Sequence, residues 1–182
     1  VDAFIMIGVS TSATRGHRNW QTGEGFTVAD AAELYEVDRW GKGYFSVSAE
    51  GHVLVHPTKD PSRSIDLKQL TDHLMLRGIG LPVLLRFPDI LRHRLRSLHD
   101  AFAGAIAEND YRGRYAAVYP IKVNQQRLVV EEVYRGSAEL GFGLECGSKP
   151  ELLAVMAMTE DAPGRLIICN GFKDDDYIEA VI

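Results

Sequence analysis

The sequence predicts an α/β protein in which helices cover a parallel β-sheet. Strand-like and helical segments alternate four times between Leu81 and Ile182. The strand-like segments are apolar throughout, a pattern that is typical of strands whose two faces are both buried. A doubly wound sheet and a (β/α)8 barrel both fit four such units. In either fold, the functional face is the carboxyl edge of the strands.

The residues ahead of this region predict smaller structures. Residues 10–25 are rich in Ser, Thr, Gly, Asn and Arg without periodicity, so residues 1–25 are expected to form a mobile leader. Thr27 and Asp30 have capping-box spacing, and they predict a short helix that ends near Gly41.

Two β-rich runs, over residues 44–47 and 52–56, are separated by a loop that contains Gly51 and predict a β-hairpin. His52 and His56 fall on one face of its second strand. A metal site would need a third ligand, and none is evident in the sequence. A solvent-facing pair of histidines is therefore the favoured interpretation.

The alternating region itself begins after an amphipathic helix that Asp66 caps and Gly78 ends. Its four strands are expected over residues 81–87, 115–123, 142–147 and 165–171. The long helix after the first strand carries an apolar stripe of Leu91, Leu95, Leu98, Phe102 and Ile106. Its arginines, Arg92, Arg94 and Arg96, are interpreted as a solvated face. Later helices are expected over residues 125–140, from a capping box at residues 148–151, and over residues 173–182.

Composition excludes several classes of protein. Hydrophobic residues make up 46% and charged residues 25% of the 182 residues, as in ordinary globular proteins. A net charge of -5 offers no basic surface for nucleic acid or for anionic lipid. The apolar stretch near the amino terminus is too short to span a membrane. Cys146 and Cys169 form no CxxC pair, so reduced thiols in a cytoplasmic protein are expected. Because the charge favours neither nucleic acid nor lipid, a small molecule is the expected substrate.

The most informative segment is residues 116–126, where an apolar strand ends at Lys122. On residue type alone, such a lysine is most simply a solvated side chain that closes the strand. Glu145 and Asn170 are expected at the same carboxyl edge. The sequence contains no GxGxxG turn, no GxxxxGK[ST] loop and no GxSxG elbow, so nucleotide binding or serine hydrolysis by those devices has no support.

Five blocks of sequence, in the same order, resemble the biosynthetic arginine decarboxylases. These blocks lie at residues 37–45, 81–91, 119–125 (Tyr-Pro-Ile-Lys-Val-Asn-Gln), 143–152 (Gly-Leu-Glu-Cys-Gly-Ser-Lys-Pro-Glu-Leu) and 169–174. The resemblance runs from about residue 26 to residue 182. It implies a pyridoxal-phosphate enzyme of the alanine racemase and ornithine decarboxylase fold type, with a (β/α)8 barrel joined to a β-domain. The family's chains are more than three times longer than this one, which looks like their amino-terminal portion.

The same resemblance implies the domains and the roles. Residues 26–63 would lie outside the barrel, and residues 64–182 would form about its first half. Lys122 would hold pyridoxal 5'-phosphate as a Schiff base and act in catalysis. Glu145 matches an acidic position near the cofactor lysine; a strand-end acid paired with a nearby cation is an equally favoured interpretation. The implied reaction converts L-arginine to agmatine and CO2, on a route to putrescine and spermidine.

Further expectations also follow from the resemblance. The full-length protein is expected to be a homo-oligomer, and a magnesium requirement is implied by the family only, because no metal ligands are evident here. The phosphate loop and the guanidinium-binding residues would lie on the missing part, so the 182-residue chain alone is expected to be inactive. Two alternatives stay open: another amino-acid decarboxylase of this fold type, acting on ornithine or diaminopimelate, and a non-catalytic homologue that serves as an interaction protein.

Overall fold

The computed structural model of the chain describes residues 5–6, 25–160 and 164–182. They belong to two units, Val1–Ile90 and Leu91–Ile182. The leader predicted over residues 1–25 lies outside the described residues, except for Ile5–Met6 and residue 25. Within the described ranges, every helix is either too short or too polar to span a bilayer.

The described residues of the first unit form two small antiparallel sheets and three short helices. The strands are β1 (Ile5–Met6), β2 (Phe45–Val47), β3 (Val53–Val55), β4 (Ile65–Asp66) and β5 (Leu84–Leu85); the helices are α1 (Val28–Leu34), α2 (Val37–Gly41) and α3 (Leu67–Leu76). One sheet has the order β2-β3-β4, and the other pairs β1 with β5. The predicted hairpin is confirmed, since Phe45 pairs with Val55 and Val47 with Val53.

Local capping signals in the first unit were predicted correctly. The Thr27 hydroxyl accepts from the Asp30 N–H at 3.2 Å, and the Asp30 carboxylate accepts from the Thr27 N–H at 2.9 Å, which completes the capping box of α1. Asp66 caps α3 by accepting from the Gln69 N–H at 3.0 Å. The predicted single helix to Gly41 is instead two helices, because Glu36 adopts a left-handed conformation with φ 48°.

The prediction for the two histidines of the hairpin is wrong. His56 is 8% exposed, and its Nε2 lies 2.7 Å from the Ser46 hydroxyl. His52 is partly buried, and its Nδ1 lies 2.8 Å from an Asp66 carboxylate oxygen. For His56 the reason is Ser46 of β2, within the hairpin itself. For His52 the reason is β4, a third strand that the sequence did not predict. It pairs with β3 and brings Asp66 alongside the hairpin.

The prediction of a parallel strand over residues 81–87 is also wrong. Only Leu84–Leu85 is a strand, and it pairs antiparallel with Ile5–Met6. Leu84 is half exposed. An apolar run indicates burial but does not say which segment it pairs with, and Pro82 lacks the N–H that a longer ladder would need.

The second unit is a parallel sheet with helices between its strands. Its elements are α4 (Pro88–Glu108, of which residues 91–108 belong to this unit), β6 (Val118–Pro120), α5 (Arg127–Gly136), β7 (Gly143–Cys146), α6 (Lys149–Thr159), β8 (Ile167–Cys169) and α7 (Asp175–Val181). The strand order is β6-β7-β8, and both pairings are parallel. The α/β class is therefore confirmed for three of the four predicted units. Closure into a barrel stays a prediction.

The central strand β7 anchors the core of this unit. Leu144 and Cys146 are fully buried, and they pack with Val130 of α5, Val155 of α6 and Tyr177 of α7. Burying side chains of this size contributes roughly 1.5–3 kcal/mol each. Because successive side chains of a strand point to opposite faces, Glu145 lies on the other face of the sheet from Leu144 and Cys146.

Helix α4 partly departs from the prediction. Two members of its apolar stripe, Leu98 and Phe102, are half exposed, although Phe102 stacks on Tyr115 with ring centroids 4.0 Å apart. Arg92 forms an ion pair with Glu132 of α5, and Arg96 forms one with Glu139 at 2.7 Å. The arginine face is thus solvated only in part, because two of its members contact acids that follow much later in the sequence.

Candidate active site

The three parallel strands end at one edge of the sheet, and this edge carries the residues that the sequence singled out. Strands β6, β7 and β8 end at Pro120, Cys146 and Cys169. Because the strands are parallel, the segments that follow them meet at the same edge. Lys122, Glu145 and Asn170 all lie at or next to these strand ends.

Lys122 lies in a short 3-10 turn, Ile121–Val123, directly after β6. The predicted strand to residue 123 is therefore too long at its carboxyl end. Ile121 is buried in the core with Leu144, whereas Val123 is 70% exposed. Successive residues of a 3-10 turn point about a third of a turn apart. Because Ile121 points into the core, Lys122 points away from it and is exposed to solvent. Its amine makes no hydrogen bond or ion pair with any residue that the structure describes.

Glu145 is a buried carboxyl group in the middle strand. It is 5% exposed and lies in register between Pro120 of β6 and Ile168 of β8. Its Oε1 is buried and has no hydrogen-bond partner among the described residues. An unpaired buried polar atom costs roughly 1–3 kcal/mol. This position is therefore one where a ligand group or a further protein group would be stabilising.

The structure brings Lys122 and Glu145 to one edge without joining them. In the described part of the chain, no ion pair connects the two side chains, and Glu145 pairs with no other cation. The alternative interpretation of Glu145, as an acid paired with a nearby cation, therefore finds no cation among these residues. Asn170 is exposed at the same edge, and its backbone N–H donates to the Cys146 carbonyl at 2.8 Å.

Glu151 is a residue of this edge that the sequence analysis did not single out. Its Oε2 accepts from the Gly147 N–H at 2.7 Å, and its Oε1 accepts from Gln125 Nε2 at 3.2 Å. The Ser148 hydroxyl accepts from the Glu151 N–H at 3.4 Å, as the capping box predicts. In a capping box the Glu151 carboxylate would in turn accept from the Ser148 N–H, but here it accepts from the Gly147 N–H instead. The capping-box spacing was thus a signal for the helix, but it did not reveal the contact with Gln125.

A second set of contacts links the segments after β7 and β8. Lys149 Nζ donates to Asp174 at 2.7 Å and to Asp176 at 3.3 Å. The hydrogen bond with Asp174 raises the pKa of Lys149, and the hydrogen bond with Lys149 lowers the pKa of Asp174. Gly171 has φ +81°, and a Cβ there would lie 2.5 Å from the Gly147 carbonyl oxygen. Only glycine allows this close approach of the two segments.

The cysteines lie behind the edge, on the helical side of the sheet. Cys146 and Cys169 are free thiols with their Sγ atoms 3.9 Å apart, as predicted for reduced cysteines. Burial raises the pKa of the Cys146 thiol. Burial and the contact with Cys146 also raise the pKa of Tyr177, whose hydroxyl lies 3.5 Å from that sulfur. Because the thiolate is the nucleophilic form, Cys146 is a packing residue of the core.

The described ranges contain no group of three or more His, Cys, Asp or Glu side chains that could hold a metal ion. The described residues therefore supply no ligand set for the magnesium that the family resemblance implies.

Comparison with known proteins identifies relatives of both the sequence and the structure. Residues 91–182 match a family model described as the pyridoxal binding domain of pyridoxal-dependent decarboxylases. A biosynthetic arginine decarboxylase from Rhodopirellula baltica is 53% identical over 86% of this chain and 23% of its own length. One from Prochlorococcus marinus is 47% identical over 93% of this chain and 25% of its own length. The chain thus spans about a quarter of the curated relatives that it matches.

A solved structure gives the same result. The crystal structure of the biosynthetic arginine decarboxylase from Campylobacter jejuni superposes with a TM-score of 0.69 and 34% sequence identity. The match covers 80% of this chain and 24% of that one. With half of its residues matching the family model, the chain belongs to the pyridoxal-dependent decarboxylases, through the pyridoxal binding domain that residues 91–182 match.

Proposed function

We propose that the protein containing this chain is an arginine decarboxylase that converts L-arginine to agmatine and CO2 for polyamine biosynthesis. The observation that carries this proposal is the 47–53% identity to biosynthetic arginine decarboxylases over most of the chain. The chain covers about a quarter of those proteins, so the activity is proposed for the longer protein. By the same reasoning, residues 1–182 alone would be inactive.

The residues at the carboxyl edge fit the aldehyde end of pyridoxal phosphate. Lys122 offers an exposed primary amine with no partner in the described residues. Glu145 offers a buried oxygen whose hydrogen bonding is unmet. We assign the phosphate-binding and guanidinium-binding residues to the remainder of the protein.

The proposed mechanism gives each side chain one task. When bound, pyridoxal phosphate supplies an aldehyde for covalent attachment and a ring that accepts the electron pair left as CO2 departs. Lys122 would hold it through Nζ, and the same Nζ, when it is not bound to the cofactor, would carry a proton. Glu145 would accept a hydrogen bond at Oε1 from an ammonium group at this edge, either that of Lys122 or that of the substrate.

We also propose that β6, β7 and β8 belong to the first half of a (β/α)8 barrel, with residues 26–63 outside it. The TM-score of 0.69 to the Campylobacter jejuni enzyme supports this proposal. The exposure of Ile168 supports it as well. This apolar side chain lies on the same sheet face as Glu145 and is 42% exposed, so the face has room for further strands to cover it. In a closed barrel this face would point inward and be covered by the remaining strands.

The cellular setting of the full-length protein is a further part of the proposal. We infer a cytoplasmic homo-oligomer that binds neither nucleic acid nor membrane. The free thiols of Cys146 and Cys169 support the cytoplasmic setting, and the net charge of -5 supports the absence of nucleic-acid and membrane binding. The homo-oligomer is inferred from the family resemblance.

The test is CO2 release by the purified full-length protein with pyridoxal phosphate. Arginine, ornithine, lysine and diaminopimelate are compared at equal concentration, and the highest kcat/KM is expected for arginine. Lys122→Ala serves as the inactive variant. Lys68→Ala is its matched control, because Lys68 is an exposed lysine of α3 that forms an ion pair with Asp72.

Three results would contradict the proposal. Equal or faster turnover of ornithine or diaminopimelate would make this a decarboxylase of another amino acid. Activity that survives in Lys122→Ala would exclude Lys122 as the cofactor lysine. Failure of the wild-type protein to bind pyridoxal phosphate or to release CO2 would indicate a non-catalytic homologue.

A further inference from the structure

We propose that Glu151 is a positioning residue that holds the Lys122 and Glu145 segments at a fixed separation. The structural unit is the Glu151 bridge, formed by Glu151, Gln125 and Gly147. The inference rests on the proposed function, because it assigns Glu151 a task in the reaction of that site. Nothing in the bridge requires Glu151 to touch substrate or cofactor.

The bridge joins two segments that are distant in sequence. Gln125 lies three residues after Lys122, and Gly147 lies two residues after Glu145. One carboxylate accepts from both: from the Gly147 N–H at 2.7 Å and from Gln125 Nε2 at 3.2 Å. A charged acceptor makes such hydrogen bonds stronger than neutral ones. The Glu151 side chain therefore links the segment just after Lys122 to the residue that directly follows β7, the strand of Glu145.

Capping of α6 does not account for this geometry. The Ser148 hydroxyl already accepts from the Glu151 N–H, and Pro150 removes one of the free N–H groups of the first turn. In an ordinary capping box the acid would accept from the N–H of Ser148 itself. Here its carboxylate reaches one residue farther to Gly147, and it also binds Gln125, which belongs to a different segment.

The two residues that are being positioned depend on the backbone of their own segments. Lys122 makes no hydrogen bond or ion pair with a described residue, and Glu145 Oε1 has no hydrogen-bond partner among them. Their places are therefore set by the backbone that carries them, which is the 3-10 turn for Lys122 and strand β7 for Glu145. The Gln125 side chain donates to Glu151. A misplacement of about 1 Å between reacting groups can reduce a rate by roughly 100-fold.

Two substitutions of Glu151 separate its geometry from its charge. Glu151→Ala removes both hydrogen bonds. Glu151→Gln keeps an oxygen for the Gly147 N–H, and its amide nitrogen can donate to the Gln125 side-chain oxygen after that amide turns over. Gln125→Ala removes only one arm of the bridge. Glu139→Ala is the matched control, since Glu139 is an acid in an exposed ion pair with Arg96.

The experiment uses the full-length protein and three measurements. These are kcat and KM for arginine with pyridoxal phosphate, the melting temperature, and amide hydrogen exchange at residues 143–148 without the cofactor. For Glu151→Ala, kcat is expected to fall by about 10- to 100-fold with a small change in KM. Exchange at Gly147 is expected to accelerate. Glu151→Gln should retain kcat within about threefold of wild type, Gln125→Ala should lie between the two, and Glu139→Ala should match wild type.

Two results would overturn the inference. If Glu151→Gln is as impaired as Glu151→Ala, the charge of Glu151 acts directly and the bridge is not its role. If Glu151→Ala leaves both kcat and exchange at Gly147 unchanged, the bridge has no effect. A wild-type protein that does not decarboxylate arginine would contradict the proposed function, and hydrogen exchange would then still decide whether the bridge exists.

Discussion

Two carboxylates in strands, Asp66 in the first unit and Glu145 in the second, have opposite surroundings. Asp66 accepts hydrogen bonds from the Gln69 N–H and from His52, and the bond with Gln69 is the main reason that its pKa is lowered. Glu145 is more deeply buried, yet its Oε1 has no partner in the described chain. A carboxylate that only supports the fold is satisfied by its own unit. The unmet oxygen of Glu145 costs stability, which indicates that its use lies elsewhere.

Two lysines at one edge of the second unit show the same contrast. Lys149 contacts both Asp174 and Asp176. Lys122, two residues after β6, has no such partner among the residues that the structure describes. The edge therefore contains paired charges that tie its segments together, and one amine and one carboxyl oxygen that are left for another molecule or for the rest of the protein.

The largest expected effect is on activity at Glu145. In the full-length protein, Glu145→Gln should lower kcat for arginine by about 10- to 100-fold, because the carboxylate can no longer accept from an ammonium as an anion. Asp66→Asn should leave kcat unchanged. Steady-state kinetics of the two variants measure this difference, and equal losses in both would remove the contrast between the two carboxylates.

The next effect is on stability, where substitution at Asp66 should be the more harmful of the two. Glu145→Leu replaces an unpaired buried oxygen by an apolar group, so unfolding should become harder by up to about 1–3 kcal/mol. Asp66→Ala removes the cap of α3 and the contact with His52, so its melting temperature should fall. Thermal unfolding of the two full-length variants gives the comparison. A destabilised Glu145→Leu would show that Glu145 supports the fold as Asp66 does.

A smaller effect is the pH dependence that Asp66 contributes. The pKa of Asp66 is lowered from its ordinary value of 3.8. Its stabilising contribution is therefore present above pH 3.8 and is lost as the pH falls through the lowered value. Asp66→Ala should lie below wild type in melting temperature at neutral pH, and the two should converge in strong acid. Melting curves from pH 7 to pH 2 test this, and a constant gap would contradict it.

The smallest expected effect concerns the paired lysine of the edge. The pKa of Lys149 is raised from 10.5, so its contribution is present below pH 10.5 and is lost as the pH rises through the raised value. The ion pairs with Asp174 and Asp176 are exposed. Lys149→Ala should lower the melting temperature slightly at low salt and less at high salt, because salt screens surface charges. A loss that is independent of salt would indicate a packing role instead.

The sequence predicted what depends on local pattern. The capping box at Thr27, the hairpin and α3 follow from spacings within about ten residues. The parallel strands around Glu145 follow from the alternation of apolar and helical segments. The placement of Lys122 and Glu145 at one edge follows from the parallel arrangement alone. For these features, no information about distant partners was needed.

The sequence failed where distant segments decide the outcome. Leu84–Leu85 pairs with Ile5–Met6, and His52 contacts Asp66 through β4. Gln125 and Glu151, 26 residues apart, contact each other because β6 and β7 pair side by side. An apolar run or a capping motif has the same appearance whatever its partner is.

The central claim is that Lys122 is the amine that binds the cofactor aldehyde. Full-length protein is incubated with pyridoxal phosphate, reduced with borohydride, digested and mapped by mass spectrometry. The account predicts a pyridoxyl group on the peptide that contains Lys122, and none on the same peptide of Lys122→Ala. A pyridoxyl group found only on another lysine, or on no lysine, would contradict it.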